Sequence, residues 1–274
     1  MFDILRRFTG QDRRQAHAPR LNWQQADELQ GIVQFGDLRI HVCLPDVMNS
    51  KPSSNKDFLV LKVPSMVEKT AALVDEVNPK NIFELGIFKG GSVVLYNEIF
   101  KPRKFVAVDI STVRLSNLEE YLRGNANVSL QLGVDQSDRP RLAQICATEF
   151  GGEPLDLVID DASHFQFETR ESFRELFPRL RPGGVYIIED WAWAHWAGDL
   201  WQRDHGGDQF RGKEPMTNLI LELVVLAASK PDWVSQVSVE SATVYVTRGP
   251  GQIEPGVELS DYCLNQGKPL PRFS

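Results

Sequence analysis

Apolar positions change their period along the chain, and the changes mark out the elements. From Phe58 to Val77 they recur at helical spacing, which predicts a helix. A short, almost wholly apolar run, "NIFEL" (81 to 85), predicts a strand, followed by a glycine-containing turn and a helix from about Ser92. The alternation continues with a strand at 104 to 109, a helix near 113 to 123, a strand at 128 to 132 and a helix near 138 to 150. A strand at 155 to 160, a helix near 166 to 180 and a strand "VYIIE" (185 to 189) complete it. Nearly all-apolar strands alternating with helices imply a parallel sheet covered on both faces, because each crossover returns its helix to the sheet. The fold class is therefore a doubly wound α/β domain.

The ends of the chain read differently. "MTNLILELVVLAASK" (216 to 230) predicts a helix, and "WVSQVSVE" and "ATVYVTRG" after it are β runs joined closely enough to pair as a hairpin. This makes seven strands, mostly parallel, closed by an antiparallel C-terminal pair. Near the start, "GIVQFGDLRIHVCL" predicts a hairpin turning at Gly36-Asp37, and "NSKPSSNK" a linker. The expected organisation is an N-terminal arm, hairpin and linker over 1–56, a main domain over 57–250 with a lid insertion near 191–214, and a tail over 251–274.

Composition adds exclusions. With 42% hydrophobic and 24% charged residues among 274, the chain can bury a sizeable core. Its net charge of -7 argues against a nucleic-acid partner, which needs a basic face. Cys43, Cys146 and Cys263 follow no disulfide or zinc spacing, and no run of about 18 apolar residues predicts a membrane span. A cytoplasmic protein, assembling as a homo-oligomer, is expected. The arginine-rich first 20 residues read as a solvated arm.

In doubly wound sheets ligands bind beyond the carboxyl ends of the strands, so the first strand-to-helix turn is the place to look. Here it reads "FELGIFKGGS". Gly86, Gly90 and Gly91 let the backbone turn sharply and approach a ligand through Ser92. The spacing is not that of a dinucleotide fingerprint, and Glu84 at the strand end repels a pyrophosphate while attracting an ammonium or sulfonium group. The next strand ends in Asp109, placed where a carboxylate meets a ribose diol. Glu84, the glycines and Asp109, with the terminal hairpin, resemble the class I S-adenosylmethionine-dependent methyltransferases and their Rossmann-like fold. The resemblance implies that the cofactor's amino-acid part lies at Glu84 to Gly91 and its ribose at Asp109. In "GVDQSD", Asp135 and Gln136 would lie near the adenine.

"LDLVIDDASH" and "GGVYIIEDW" end two successive strands that one crossover helix sets side by side. Asp160, Asp161, Glu189 and Asp190 then meet at one edge, where four carboxylates repel one another unless a cation is present. All-oxygen ligation suits Mg2+, with Mn2+ or Ca2+ as alternatives. Alternation favours Asp161, Glu189 and Asp190 as ligands and leaves Asp160 nearer the cofactor. His164 follows within reach as general base, with Asp161 sharing the catalytic site. The structural alternative makes Asp160 and Asp161 helix caps and His164 a packing residue.

"IDDASH" with "RPGGVYIIEDW" resembles the metal-dependent sugar O-methyltransferases of the macrocin and mycinamicin type and the related cephalosporin-hydroxylase-like family, over about residues 58 to 190. That resemblance implies Mg2+ on Asp161, Glu189 and Asp190, with His164 as base. The catechol O-methyltransferase pattern has Asp-Asn where this chain has Glu189-Asp190, and a lysine base. The implied partner is a hydroxylated, glycosylated small molecule. Beyond the metal strand, Trp191, Trp193, Trp196 and Trp201 with His195 suggest a lid or acceptor wall, or else an anchor for the insertion. Two other classes compete: a hydroxylase-related protein of the same fold, and a binding protein that keeps the cofactor loop without the chemistry.

Overall fold

A computed structural model describes residues 20–43, 54–203 and 210–272. The arginine-rich stretch through residue 19, linker residues 49–53 and His205 lie outside the described residues.

A four-stranded sheet holds β1 (Trp23–Gln24), β2 (Gly31–Phe35), β3 (Leu38–Val42) and β4 (Asp57–Val60), in that order. β2 and β3 pair antiparallel with Phe35 opposite Leu38, and Gly36 turns between them at φ +56°. That left-handed conformation is the one glycine adopts without steric cost. β4 joins β3 in parallel. The helix expected from Phe58 is corrected here: Phe58, Leu59 and Val60 are buried strand residues, and α1 spans Pro64–Glu76. Proline explains the boundary. Its ring keeps the preceding Val63 extended (φ -97°, ψ 154°), while its fixed φ suits the first helical turn.

The alternation then runs β5 (Asn81–Leu85), α2 (Gly91–Phe100), β6 (Lys104–Asp109), α3 (Ser116–Leu122) and β7 (Val128–Leu132). It goes on with α4 (Arg139–Phe150), β8 (Leu155–Asp160), α5 (Gln166–Leu176) and β9 (Leu180–Glu189). Last come α6 (Asp199–Gln202), α7 (Thr217–Ser229), β10 (Val234–Val239) and β11 (Thr243–Arg248). The seven-stranded sheet has the order β10-β11-β9-β8-β5-β6-β7. β5, β6 and β7 run parallel, as do β8 and β9, and the terminal hairpin joins β9 antiparallel. The doubly wound reading, including its antiparallel end, holds.

Two compact units divide the chain at Gly133 and Val134. Phe58, Phe83, Leu85, Leu95, Phe105 and Leu118 are fully buried in the core of the first. In the second, Phe173 stacks on Phe177 at 4.5 Å and leans on Tyr186 at 4.9 Å, all three buried. The segment after residue 251 is tied to α5, because Arg174 donates to the carbonyls of Gly256 and Val257 at 2.6 and 2.9 Å. Arg170 adds ion pairs with Glu222 and Glu258. Among the described residues no helix is long and apolar enough to cross a membrane.

Candidate active site

In the first unit, all five residues of β5 are buried, and Glu84 is fully so. A carboxylate in the middle of an apolar strand costs stability, so packing alone does not explain it. The chain leaves β5 through Gly86, at φ +95°, whose N–H donates to the Val108 carbonyl at 2.9 Å. Phe88 follows at φ +44° and is 58% exposed. Gly90, at φ +82°, precedes α2, and a Cβ there would lie 2.8 Å from Leu118 Cδ2. One on Gly91 would run into the Leu59 carbonyl. These two glycines are thus demanded by packing within the unit as well as by any ligand. Ser92 is half-buried in the first turn of α2.

Asp109 ends β6 and holds this turn. Its Oδ2 accepts the backbone N–H groups of Ile87 and Phe88 at 2.7 and 3.0 Å, and its Oδ1 that of Ser111 at 2.8 Å. A carboxylate offers about four acceptor positions, so capacity for a hydroxyl remains. Glu84 and Asp109 give the turn the acidic character that suits an ammonium group and a diol.

In the second unit the two adjacent aspartates separate. Asp160 is only 2% exposed and accepts from Gln136 Nε2 at 2.9 Å, Ser172 Oγ at 2.9 Å and Tyr186 Oη at 2.7 Å. Burial raises its carboxyl to about 6, against the opposing effect of those three hydrogen bonds. Gln136, itself buried, accepts the Ser163 N–H at 2.9 Å. Both residues were expected at the cofactor; the structure engages them in a network that supports the loop after β8. Strand alternation does not reveal that Ser172 and Tyr186 supply donors on the buried side. Asp135 is exposed and turns its own loop by accepting Ser137 N–H and Oγ–H at 2.8 and 2.7 Å, while Asp138 caps α4.

Asp161, His164 and Asp190 come together at the ends of β8 and β9. Each is half-buried, and one potential ligand atom from each lies within 4.8 Å of the other two. His164 and Asp190 both have left-handed backbones, at φ +62° and +51°. Side chains larger than glycine are uncommon there, and such backbones concentrate at functional sites. The two carboxylates, partly shielded from water, are hard oxygen donors of the kind that suits Mg2+ or Mn2+, and the imidazole lies beside them. The histidine stands inside this group, whereas Glu189, expected as a ligand, is 3% exposed on the last residue of β9 and outside it.

The tryptophan segment is divided. Trp193 is 3% exposed, and its indole N–H donates to the His164 carbonyl at 2.9 Å, which removes it from any acceptor wall. Its ring packs on Phe210 at 4.7 Å. Trp191 and Trp196 are half-buried, and His195 is exposed with its Nε2 2.7 Å from Thr217 Oγ1. Burial of Trp193 was not legible in a segment so rich in glycine and charge.

No family model matches the sequence. Demethylmacrocin O-methyltransferase of Streptomyces fradiae is 35% identical over 145 residues, which are 50% of this chain and 32% of that protein. Mycinamicin VI 2''-O-methyltransferase of Micromonospora griseorubida is 38% identical over 115 residues, 42% of this chain and 26% of that one. A Streptomyces olivaceus enzyme, 8-demethyl-8-alpha-L-rhamnosyl tetracenomycin-C 2'-O-methyltransferase, is 45% identical over 107 residues, 39% and 25% of the two chains. The chain therefore spans a third or less of the length of these relatives. Among solved structures, the methyltransferase MycE from the mycinamycin biosynthetic pathway, in complex with Mg and SAH, superposes with a TM-score of 0.51. The identity is 22%, and the match covers 72% of this chain and 52% of MycE. The chain has a class I methyltransferase fold. Within that fold the glycine turn after β5 and the acidic group after β8 and β9 lie at strand carboxyl ends, where doubly wound sheets bind their ligands.

Proposed function

We propose that this chain is a Mg2+-dependent O-methyltransferase that moves a methyl group from S-adenosylmethionine to a hydroxyl of a sugar-bearing or polyhydroxylated small molecule, with residues 57–250 as its catalytic domain. The observation that carries the reading is the convergence of Asp161, His164 and Asp190 within 4.8 Å. The similarity to enzymes named as O-methyltransferases, one of them for a rhamnosyl compound, supports it.

In this reading Glu84, Gly86, Gly90, Gly91 and Ser92 receive the amino-acid part of the donor, Asp109 its ribose hydroxyls and Asp135 the adenine end. The donor supplies a sulfonium methyl group open to in-line attack. Asp161 and Asp190 would hold the metal, with Glu189 as the third ligand that the resemblance implies; a bound metal would make an acceptor hydroxyl more acidic and fix its direction. His164 takes the hydroxyl proton, the task to which imidazole is best suited near neutral pH. Trp191, Trp196 and His195 line the acceptor side, indole faces being good platforms for sugar rings.

The test is methyl transfer from tritiated S-adenosylmethionine to a panel of rhamnosides, other deoxysugar glycosides and vicinal diols, with Mg2+ or EDTA present. Label should pass to a glycoside only with Mg2+. Transfer that ignores EDTA would remove the metal from the reaction, and calorimetric binding of NAD in place of S-adenosylmethionine would overturn the reading altogether.

A further inference from the structure

We propose that Trp193 is a positioning residue for His164, fixing the backbone conformation that places its imidazole beside Asp161 and Asp190. The inference rests on the metal-dependent reading above and assigns Trp193 a role apart from the acceptor.

His164 sits at φ +62°, a region costly for a side chain of its size. Such a residue relaxes unless its neighbours oppose it, and here three successive residues are held from different directions. Ser163 donates its N–H to the buried Gln136 side chain at 2.9 Å. The His164 carbonyl accepts the Trp193 indole N–H at 2.9 Å. The Phe165 ring meets Phe210 edge-on at 5.7 Å, and Phe210 also packs on Trp193 at 4.7 Å. Turning the carbonyl of residue 164 changes ψ of His164 and φ of Phe165 and so releases the loop that presents the imidazole to the two carboxylates. An indole has one donor and no acceptor, so this N–H has a single task, and burial keeps water from replacing it.

Trp193→Phe keeps an aromatic ring against Phe210 and removes only the donor. Trp233→Phe makes the same chemical change elsewhere in this unit, where the ring packs on Tyr262 at 4.4 Å. Because the loop that Trp193 holds also carries the ligand Asp161, Mn2+ affinity, read from the free-ion electron paramagnetic resonance signal with the full chain, should fall about tenfold in Trp193→Phe, as for other groups that orient metal ligands, and stay unchanged in Trp233→Phe. A role in stability alone would lower the melting temperature of both variants and the affinity of neither. Equal affinity in Trp193→Phe and the unaltered chain overturns the inference. Failure of the unaltered chain to bind Mn2+ overturns the metal reading instead. Should Trp193→Phe not fold, hydrogen exchange in the unaltered chain decides: once the Trp191 signal is identified with Trp191→Phe, a second of the six indole N–H groups should exchange more slowly when Mg2+ is added. No such slowing overturns the inference.

Discussion

The phenol of Tyr186 on β9 donates to Asp160 at the end of β8 across 2.7 Å, while the adjacent Asp161 joins His164 and Asp190 in the half-buried group. One aspartate anchors the loop and the next faces the candidate metal group. Tyr186→Phe leaves a buried carboxylate short of a donor and should cost about 1–3 kcal/mol, read from the midpoint of urea unfolding. An unmoved midpoint would mean that the hydrogen bond contributes nothing to holding the loop.

His164→Ala should leave S-adenosylmethionine affinity intact and lower turnover by about two to four orders of magnitude, the usual worth of a general base. Calorimetry and single-turnover methyl transfer read the two effects separately. Loss of donor affinity in this variant would make His164 a structural residue.

Asp161→Asn and Asp190→Asn each remove a charged ligand and should raise the Mg2+ concentration for half-maximal activity by at least about tenfold. Glu189→Gln separates the ligand set implied by the family resemblance from the group the geometry brings together. An unchanged Mg2+ requirement in Glu189→Gln would take that residue out of the set.

Gly91→Ala places a methyl group against the Leu59 carbonyl, where backbone rather than a flexible side chain must give way. The expected loss is about 1–3 kcal/mol of stability together with weaker donor binding, since the turn and the start of α2 shift as one. Wild-type melting and donor affinity would show that the turn tolerates a side chain.

Asp57 offers a test by pH. The hydrogen bond from Arg39 holds its carboxyl below the ordinary 3.8, with burial opposing and His41 assisting. A lowered folded value means that the contribution is present above the unfolded value and is lost as pH falls through the folded one. Asp57→Asn should therefore cost on the order of 0.5–1 kcal/mol at neutral pH and nothing in strong acid. A cost independent of pH would assign the effect to packing.

The parallel strands were legible because they are nearly all apolar: residues 81–85, 104–109, 128–132 and 155–160 fall where the pattern placed them. Phe58 to Val60 misled because three apolar residues fit either period, and only Pro64 marks the boundary. The carboxylate pairs at the ends of β8 and β9 were visible as ionisable residues following apolar runs. Which of them converge was not, since the division depends on the left-handed turns at His164 and Asp190, and neither is glycine. The bond from Trp193 to the His164 carbonyl spans 29 residues and leaves no trace in spacing.

In the proposed enzyme, carboxylates from two adjacent strand ends share a divalent ion. Anomalous diffraction from crystals soaked in Mn2+ tests it directly. One strong peak is expected within coordination distance of the Asp161 and Asp190 carboxylates. No peak there at millimolar Mn2+, or one confined to other acidic residues, would contradict it.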